Sequence, residues 1–150
     1  TRFGMFHTGV EVFGQEWYFG GRSDGGFYGL AATTPREHPH HRYAMSVLLG
    51  ETALDREAFE ELIPIIRMKW PSWSYHALQR NCHSFTDFLC KILGFEAAPK
   101  FGIFSIGDPR LVPGRRENPF HAREVLLRTC SIGSDSSPNK ESEAPISELI

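Results

Sequence analysis

The stretch QRNCHSF, residues 79–85, sets Cys82 among polar, hydrogen-bonding residues just where a helical pattern begins. Cys90, by contrast, lies inside the apolar run FLCKILGF, where a thiol serves packing. With Asn81 as N-cap, Cys82 falls in the first turn of its helix. Amides there lack intrahelical partners, and the helix macrodipole is positive at that end. Both effects favour thiolate over thiol, and the thiolate is the nucleophile. The same position also suits a small buried residue that happens to begin a helix, so position alone leaves two readings open.

A thiolate nucleophile works with a histidine that takes up its proton and later protonates the leaving group. The chain offers seven histidines. His38, His40 and His41 lie in PREHPHHR, a proline-broken loop, and read as solvated. A metal site there would need a fourth ligand and a geometry that the spacing does not supply, so no metal is expected. His76 and His121 read as partly exposed. His83 adjoins Cys82, but neighbouring side chains on a helix diverge, which aims it poorly. His7 lies within a strand, a rigid element that can fix its direction, with a structural role as the alternative. No third member of a triad is evident. Glu11 shares the face of His7 but lies about 13 Å along the strand at ~3.3 Å per residue.

The elements that must position these groups follow from patterning. FGMFHTGVEVFG and EWYFGG are rich in β-branched and aromatic residues and predict a hairpin turning near Gly14. Alternation puts Met5, His7, Gly9 and Glu11 on one face and Phe6, Thr8, Val10 and Val12 on the other. FYGLA reads as a short strand, and RYAMSVLLG as another closed by Gly50. Phe59, Leu62, Ile63, Ile66 and Trp70 then recur at helical spacing. Asp55 or Thr52 can cap that helix, and Pro64 is expected to interrupt and kink it. PSWSYHALQ reads as a short turn or helix. A second helix is predicted from Cys82 to Leu93, stopped by Gly94. A third is predicted from Asn118-Pro119, carrying Phe120, Val125 and Leu126.

Length and composition bound the answer. The 150 residues fit one domain with a modest core, supplied by 41% hydrophobic residues including 12 phenylalanines. Residues 1–130 read as the folded domain. Residues 131–150, SIGSDSSPNKESEAPISELI, are rich in Ser, Pro and Glu and read as a disordered acidic tail. The net charge of −2 comes with no basic stripe, which argues against a nucleic-acid partner. Nothing approaches the ~18 to 20 apolar residues of a membrane span. The opening TRFGMFHTGV lacks a basic region and a long apolar run, so no secretory signal is expected in it. The chain starts with Thr1 rather than Met and reads as a fragment cut close to its first element. Three irregularly spaced cysteines argue against a disulfide framework and for a reducing compartment, the cytoplasm first and the nucleus second.

Three motifs in order carry a resemblance. GMFHTGVEVFGQEWYFGG, LLGETALDREAF and YHALQRNCHSF resemble the PPPDE superfamily, the desumoylating-isopeptidase type of permuted papain-like peptidase. The match runs over roughly residues 3 to 99. It implies an α+β fold in which a small antiparallel sheet packs against helices. It also implies a catalytic dyad of Cys82 and His7, without cofactor, and a substrate class of isopeptide bonds between a ubiquitin-like modifier and a lysine. The Cys82 backbone N–H is placed to stabilise an oxyanion, with Asn81 contributing to that pocket or positioning the site. A Gly-Gly terminus needs a narrow groove, which Trp17, Tyr18, Gly20 and Gly21, with Gly25 and Gly26, could line; hairpin turns and core are the alternative use. Two departures stand out. The family usually has Asn where this chain has His83. It also has a strand before the histidine strand that this chain begins too late to contain, so the sheet is expected to lack an edge partner. Residues 100–130 match the family's ending poorly. Rival readings are hydrolysis of a protein S-acyl thioester by the same dyad, a lecithin–retinol-type lipid acyltransferase, and a non-catalytic binding module. The acyltransferase motif carries Glu-His after the cysteine, whereas this chain has His83-Ser84, and such enzymes tend to have an apolar anchor that this chain lacks.

Overall fold

The computed structural model describes residues 6–20, 29–96 and 123–131. Strands β1 (Phe6–Val12) and β2 (Gln15–Phe19) form the expected hairpin. Its two-residue turn uses Phe13 (φ 52°) and Gly14 (φ 78°), the paired left-handed conformation that matches the twist of a hairpin. Strands β3 (Leu30–Thr33) and β4 (Arg42–Glu51) follow, then helices α1 (Arg56–Lys69) and α2 (Cys82–Ile92), and finally β5 (Glu124–Ser131). A short 3-10 turn at Ser72–Ser74 links the helices. The five strands make one antiparallel sheet in the order β3-β2-β1-β5-β4. The fold is α+β, a small antiparallel sheet packed against helices.

The helices cover one face of the sheet. Val10, Val12, Trp17, Phe19, Val47, Val125 and Leu127 meet Phe59 and Ile66 of α1 and Phe85 and Leu89 of α2 in one apolar core. Asp55 caps α1 by accepting the Ala58 N–H at 2.8 Å. The interruption expected at Pro64 does not occur, and α1 runs through it. Pro64 stands on the exposed side of α1, while Phe59 and Ile66 hold the buried side. Gly50 lies inside β4 rather than closing it. Its φ of 136° accommodates a register shift between Leu48 and Gly50 against β5.

One expectation is overturned at the C-terminal end. Val125 and Leu126 belong to a strand, not to a third helix. Both are buried, one on each face of β5, a two-sided burial that a central strand meets and a one-faced helix does not. β5 pairs with β1 from Phe6↔Ser131 to Glu11↔Leu126 and with β4 on its other side, so β1 is interior. Residues 118–122 lie outside the described residues. So does the predicted tail, except Ser131, whose backbone ends β5. No described helix is long and apolar enough to cross a membrane.

Candidate active site

Cys82 is the first residue of α2, as the helix pattern requires. Asn81 and Ser84 form a reciprocal capping box. Asn81 Oδ1 accepts the Ser84 N–H at 3.1 Å, and Ser84 Oγ accepts the Asn81 N–H at 3.3 Å. Asn81 Nδ2 also donates to the Ala77 carbonyl at 2.8 Å. Both ends of this amide are therefore engaged in holding the turn, which makes Asn81 a positioning residue for Cys82. Upstream, His76 and Arg80 exchange backbone hydrogen bonds of 2.9 Å, and Arg80 stacks 3.9 Å over Trp70. The segment entering the helix is thus tied to the core from both sides.

Cys82 is 5% exposed and lies outside the contiguous apolar core that contains Cys90. Burial pushes the Cys90 and Cys130 thiols up to about 12. The Tyr75 phenol is also raised, by burial first and then by the charge Cys82 would carry, so that ring stands within electrostatic range of the sulfur.

His7 lies on the sheet face opposite Val10 and Val12 and is 5% exposed. Its ring packs against Tyr18 (5.5 Å, edge-on), His38 (4.5 Å) and His41 (4.6 Å). Its Nε2 is buried without a hydrogen-bond partner, so the Cys82 thiol is not bonded to that nitrogen. Burial holds His7 down at about 3, with the charges that His38, His41 and His83 would carry acting in the same direction. The imidazole is therefore neutral at pH 7, and its burial opposes protonation in this arrangement. The influence of His83, the neighbour of Cys82, brings the first turn of α2 within electrostatic reach of His7. A side-chain contact joins the same two elements: Thr8 Oγ1 and Thr86 Oγ1 are hydrogen-bonded at 3.3 Å.

The loop between β3 and β4 departs from the solvated reading. His38 is 9% exposed and His41 half-buried, whereas His40 is exposed. His38 and His41 stack at 4.4 Å, and Tyr18 lies 4.3 Å from His38. This cluster was invisible in the sequence because contact with His7 depends on how the loop folds over the sheet. Its only local signal is the spacing His38-x-x-His41. Trp17 proves to be a core residue, packed edge-on at 5.7 Å against Phe59 on the helix face, so its groove role gives way to packing. Tyr18 points to the opposite face, beside His7. Gly20, hydrogen-bonded from its N–H to the Gly29 carbonyl at 3.1 Å, has open space where a side chain would stand. Gly21, Gly25, Gly26 and His121 lie outside the described residues.

The rest of this sheet face is polar and buried. Glu11 pairs with Arg128, which also donates to Ser46 Oγ. Glu16 Oε2 accepts the Arg36 N–H at 2.8 Å, and burial raises its carboxyl above the usual range. Gly9 permits this arrangement, since a Cβ there would stand 3.0 Å from Glu16 Oε1.

Among curated proteins the chain is similar to DeSI-like protein At4g17486 of Arabidopsis thaliana, 31% identical over 87 residues that cover 58% of this chain and 38% of that protein. It is 30% identical over 94 residues to Desumoylating isopeptidase 1 homolog of Caenorhabditis elegans, covering 60% and 28%. It is 29% identical over 99 residues to DeSI-like protein sdu1 of Schizosaccharomyces pombe, covering 65% and 49%. The chain thus spans half or less of the length of these relatives. No solved structure is significantly similar to it. Residues 1–104 match the family model described as PPPDE putative peptidase domain, and the chain belongs to that family.

Proposed function

We propose that the protein is a cysteine isopeptidase that removes a ubiquitin-like modifier, SUMO or ubiquitin, from lysine side chains, with Cys82 as nucleophile and His7 as its base. The observation that carries this reading is the capped first turn of α2, which bears Cys82 and is tied to the strand of His7, in a chain of a peptidase family. Two of the relatives' names, both reading isopeptidase or DeSI-like, support the substrate class.

The chemistry divides between the two elements. The Cys82 sulfur attacks the isopeptide carbonyl carbon, and the thiol proton passes to the neutral His7 imidazole. The oxyanion forms beside the amide groups of the first turn of α2, where the helix end is positive. His7 then gives its proton to the departing lysine amine as the C–N bond breaks, leaving a thioester on Cys82. Water hydrolyses the thioester, its proton returning through His7 to the sulfur. His7 projects from the face of β1 opposite to Thr8 and α2, so the attack requires the imidazole and thiol to meet past the start of that strand, a rearrangement larger than the tightening of a hydrogen bond. Tyr18 and Gly20 border the His7 side of the groove that would take the modifier's Gly-Gly terminus. We assign this activity to the cytoplasm, with the nucleus as second compartment; all three cysteines are free, as a reducing environment keeps them.

The test is hydrolysis of ubiquitin and SUMO carboxyl-terminal fluorogenic conjugates, with an acyl-thioester probe in parallel. Turnover of a modifier conjugate that falls by roughly three orders of magnitude in both Cys82→Ser and His7→Ala supports the proposal. Turnover of the acyl thioester alone assigns the dyad to deacylation instead. Full activity in Cys82→Ser removes the nucleophile from the argument.

A further inference from the structure

We propose that His7, His38 and His41 form a three-imidazole site for a zinc-class divalent transition-metal ion, with water in the fourth position. One nitrogen from each ring lies within 4.8 Å of the others. The three rings come from two separate elements: His7 from the interior strand β1, and His38 and His41 from the loop that folds over it.

The chemistry of the set matches this ion class. Neutral imidazole suits zinc, copper and nickel, and three protein ligands with an open position is a familiar zinc arrangement. The site is also built rather than superficial. His7 and His38 are both more than nine-tenths buried. His7 Nε2, His38 Nε2 and His41 Nδ1 are buried without hydrogen-bond partners. An unmet polar atom in such a place costs about 1 to 3 kcal/mol, and one cation answers all three nitrogens once the His38 ring moves its proton off Nε2. Zinc–nitrogen bonds of about 2.0 to 2.1 Å put tetrahedral ligand atoms roughly 3.4 Å apart, so the nitrogens need close by little more than ~1 Å.

One existing contact opposes binding. His38 Nδ1 accepts the His40 N–H at 3.1 Å, which leaves the proton of the neutral ring on Nε2. Ligation through Nε2 moves that proton to Nδ1 and breaks the contact with His40. The loop from His38 to His41 therefore shifts when the ion enters. A metal on His7 would also withdraw the base assigned above, so the site would inhibit the hydrolase; this consequence alone rests on the proposed function.

Calorimetric titration of Zn²⁺ into the tag-free, chelator-stripped chain tests the site, with Co²⁺ absorption reporting the ligand geometry. One ion per chain is expected. Affinity should fall roughly 100-fold or more in His41→Ala and His38→Ala, at least the loss typical of removing a mere supporting group. His41 is only half-buried, so its variants should keep the fold, which near-ultraviolet circular dichroism verifies; His41→Gln serves if the alanine variant does not. His40→Ala and Cys82→Ser should bind as the parent does. No binding, or binding indifferent to His38 and His41, overturns the site. Loss in Cys82→Ser overturns the three-histidine set in favour of one that includes sulfur. Binding is read without turnover, so failure of the hydrolase reading leaves this result unaffected.

Discussion

Thr8 and Thr86 share a hydrogen bond of 3.3 Å between their hydroxyls, buried where β1 meets α2. Thr8 follows His7, and Thr86 lies one helical turn after Cys82. Thr86 also donates to the His83 carbonyl at 3.0 Å, so the bond between strand and helix reaches back toward the nucleophile. Replacing both hydroxyls together, Thr8→Val with Thr86→Val, should cost only about 1 kcal/mol of stability, since no partner is left unsatisfied. Turnover should fall more than stability does, because the two elements lose their lateral register. Equal loss in a melting curve and in kcat/KM would reduce the pair to ordinary packing.

Asn81→Ala should remove the cap of α2 and destabilise the fold by about 1 kcal/mol. Asn81→Ser and Asn81→Asp keep an acceptor for the Ser84 N–H and should recover most of it. Activity should follow the same order, because Asn81 acts on the reaction by holding Cys82. Activity lost in Asn81→Asp at unchanged stability would point instead to direct contact with substrate.

Alkylation should distinguish the three thiols. Cys90 and Cys130 are fully buried and pushed up to about 12, so iodoacetamide at neutral pH should leave them unmodified. Cys82 should label alone, and more slowly in His7→Ala. Mass spectrometry of the labelled peptides reads this directly. Labelling spread over all three cysteines would mean that the folded state opens faster than Cys82 reacts.

Acid should weaken the fold early. His7 is held at about 3 and His38 at about 4, both below the ordinary 6.5 of the unfolded chain. The unfolded state therefore binds more protons, and stability is full above pH 6.5 and declines as pH falls toward those values. Each histidine removes at most about 1.4 kcal/mol per pH unit in that window. Glu16 acts with the opposite sign above its ordinary 4.5, because the folded state holds its proton more tightly. Comparing denaturant unfolding of the parent with His38→Gln between pH 7 and pH 5 isolates the histidine share. Parallel curves would mean that His38 is protonated at no cost in the fold.

Arg128 is wholly buried beside Glu11, and burial lowers its guanidinium to about 10. Arg128→Ala should cost roughly 3 to 5 kcal/mol, because it strands the Glu11 carboxylate. Arg128→Met with Glu11→Leu should be far milder than the single change, a comparison made by urea denaturation. A single variant as stable as the parent would show that water reaches Glu11.

The local elements were largely legible. The hairpin through Phe13-Gly14, the Asp55 cap and the α2 boundaries follow from turn chemistry, capping and spacing, which act over a few residues. Cys82 at a helix start is such a feature, since Asn81 and Ser84 that create it are its neighbours. Pro64 misled because its cost depends on which side of α1 faces water.

Local patterning and the three ordered motifs were enough for an α+β domain of a peptidase family, with a cysteine at a capped helix tip and a histidine in a strand. Tertiary structure decided which groups surround that histidine. β5 slid between β1 and β4, turning Val125 and Leu126 from apparent helix residues into a doubly buried strand and bringing Arg128 to Glu11. The loop of His38 and His41 closed over His7 in the same way. Both outcomes depend on pairings between distant segments, where burial shared by two surfaces outweighs the local propensity of either.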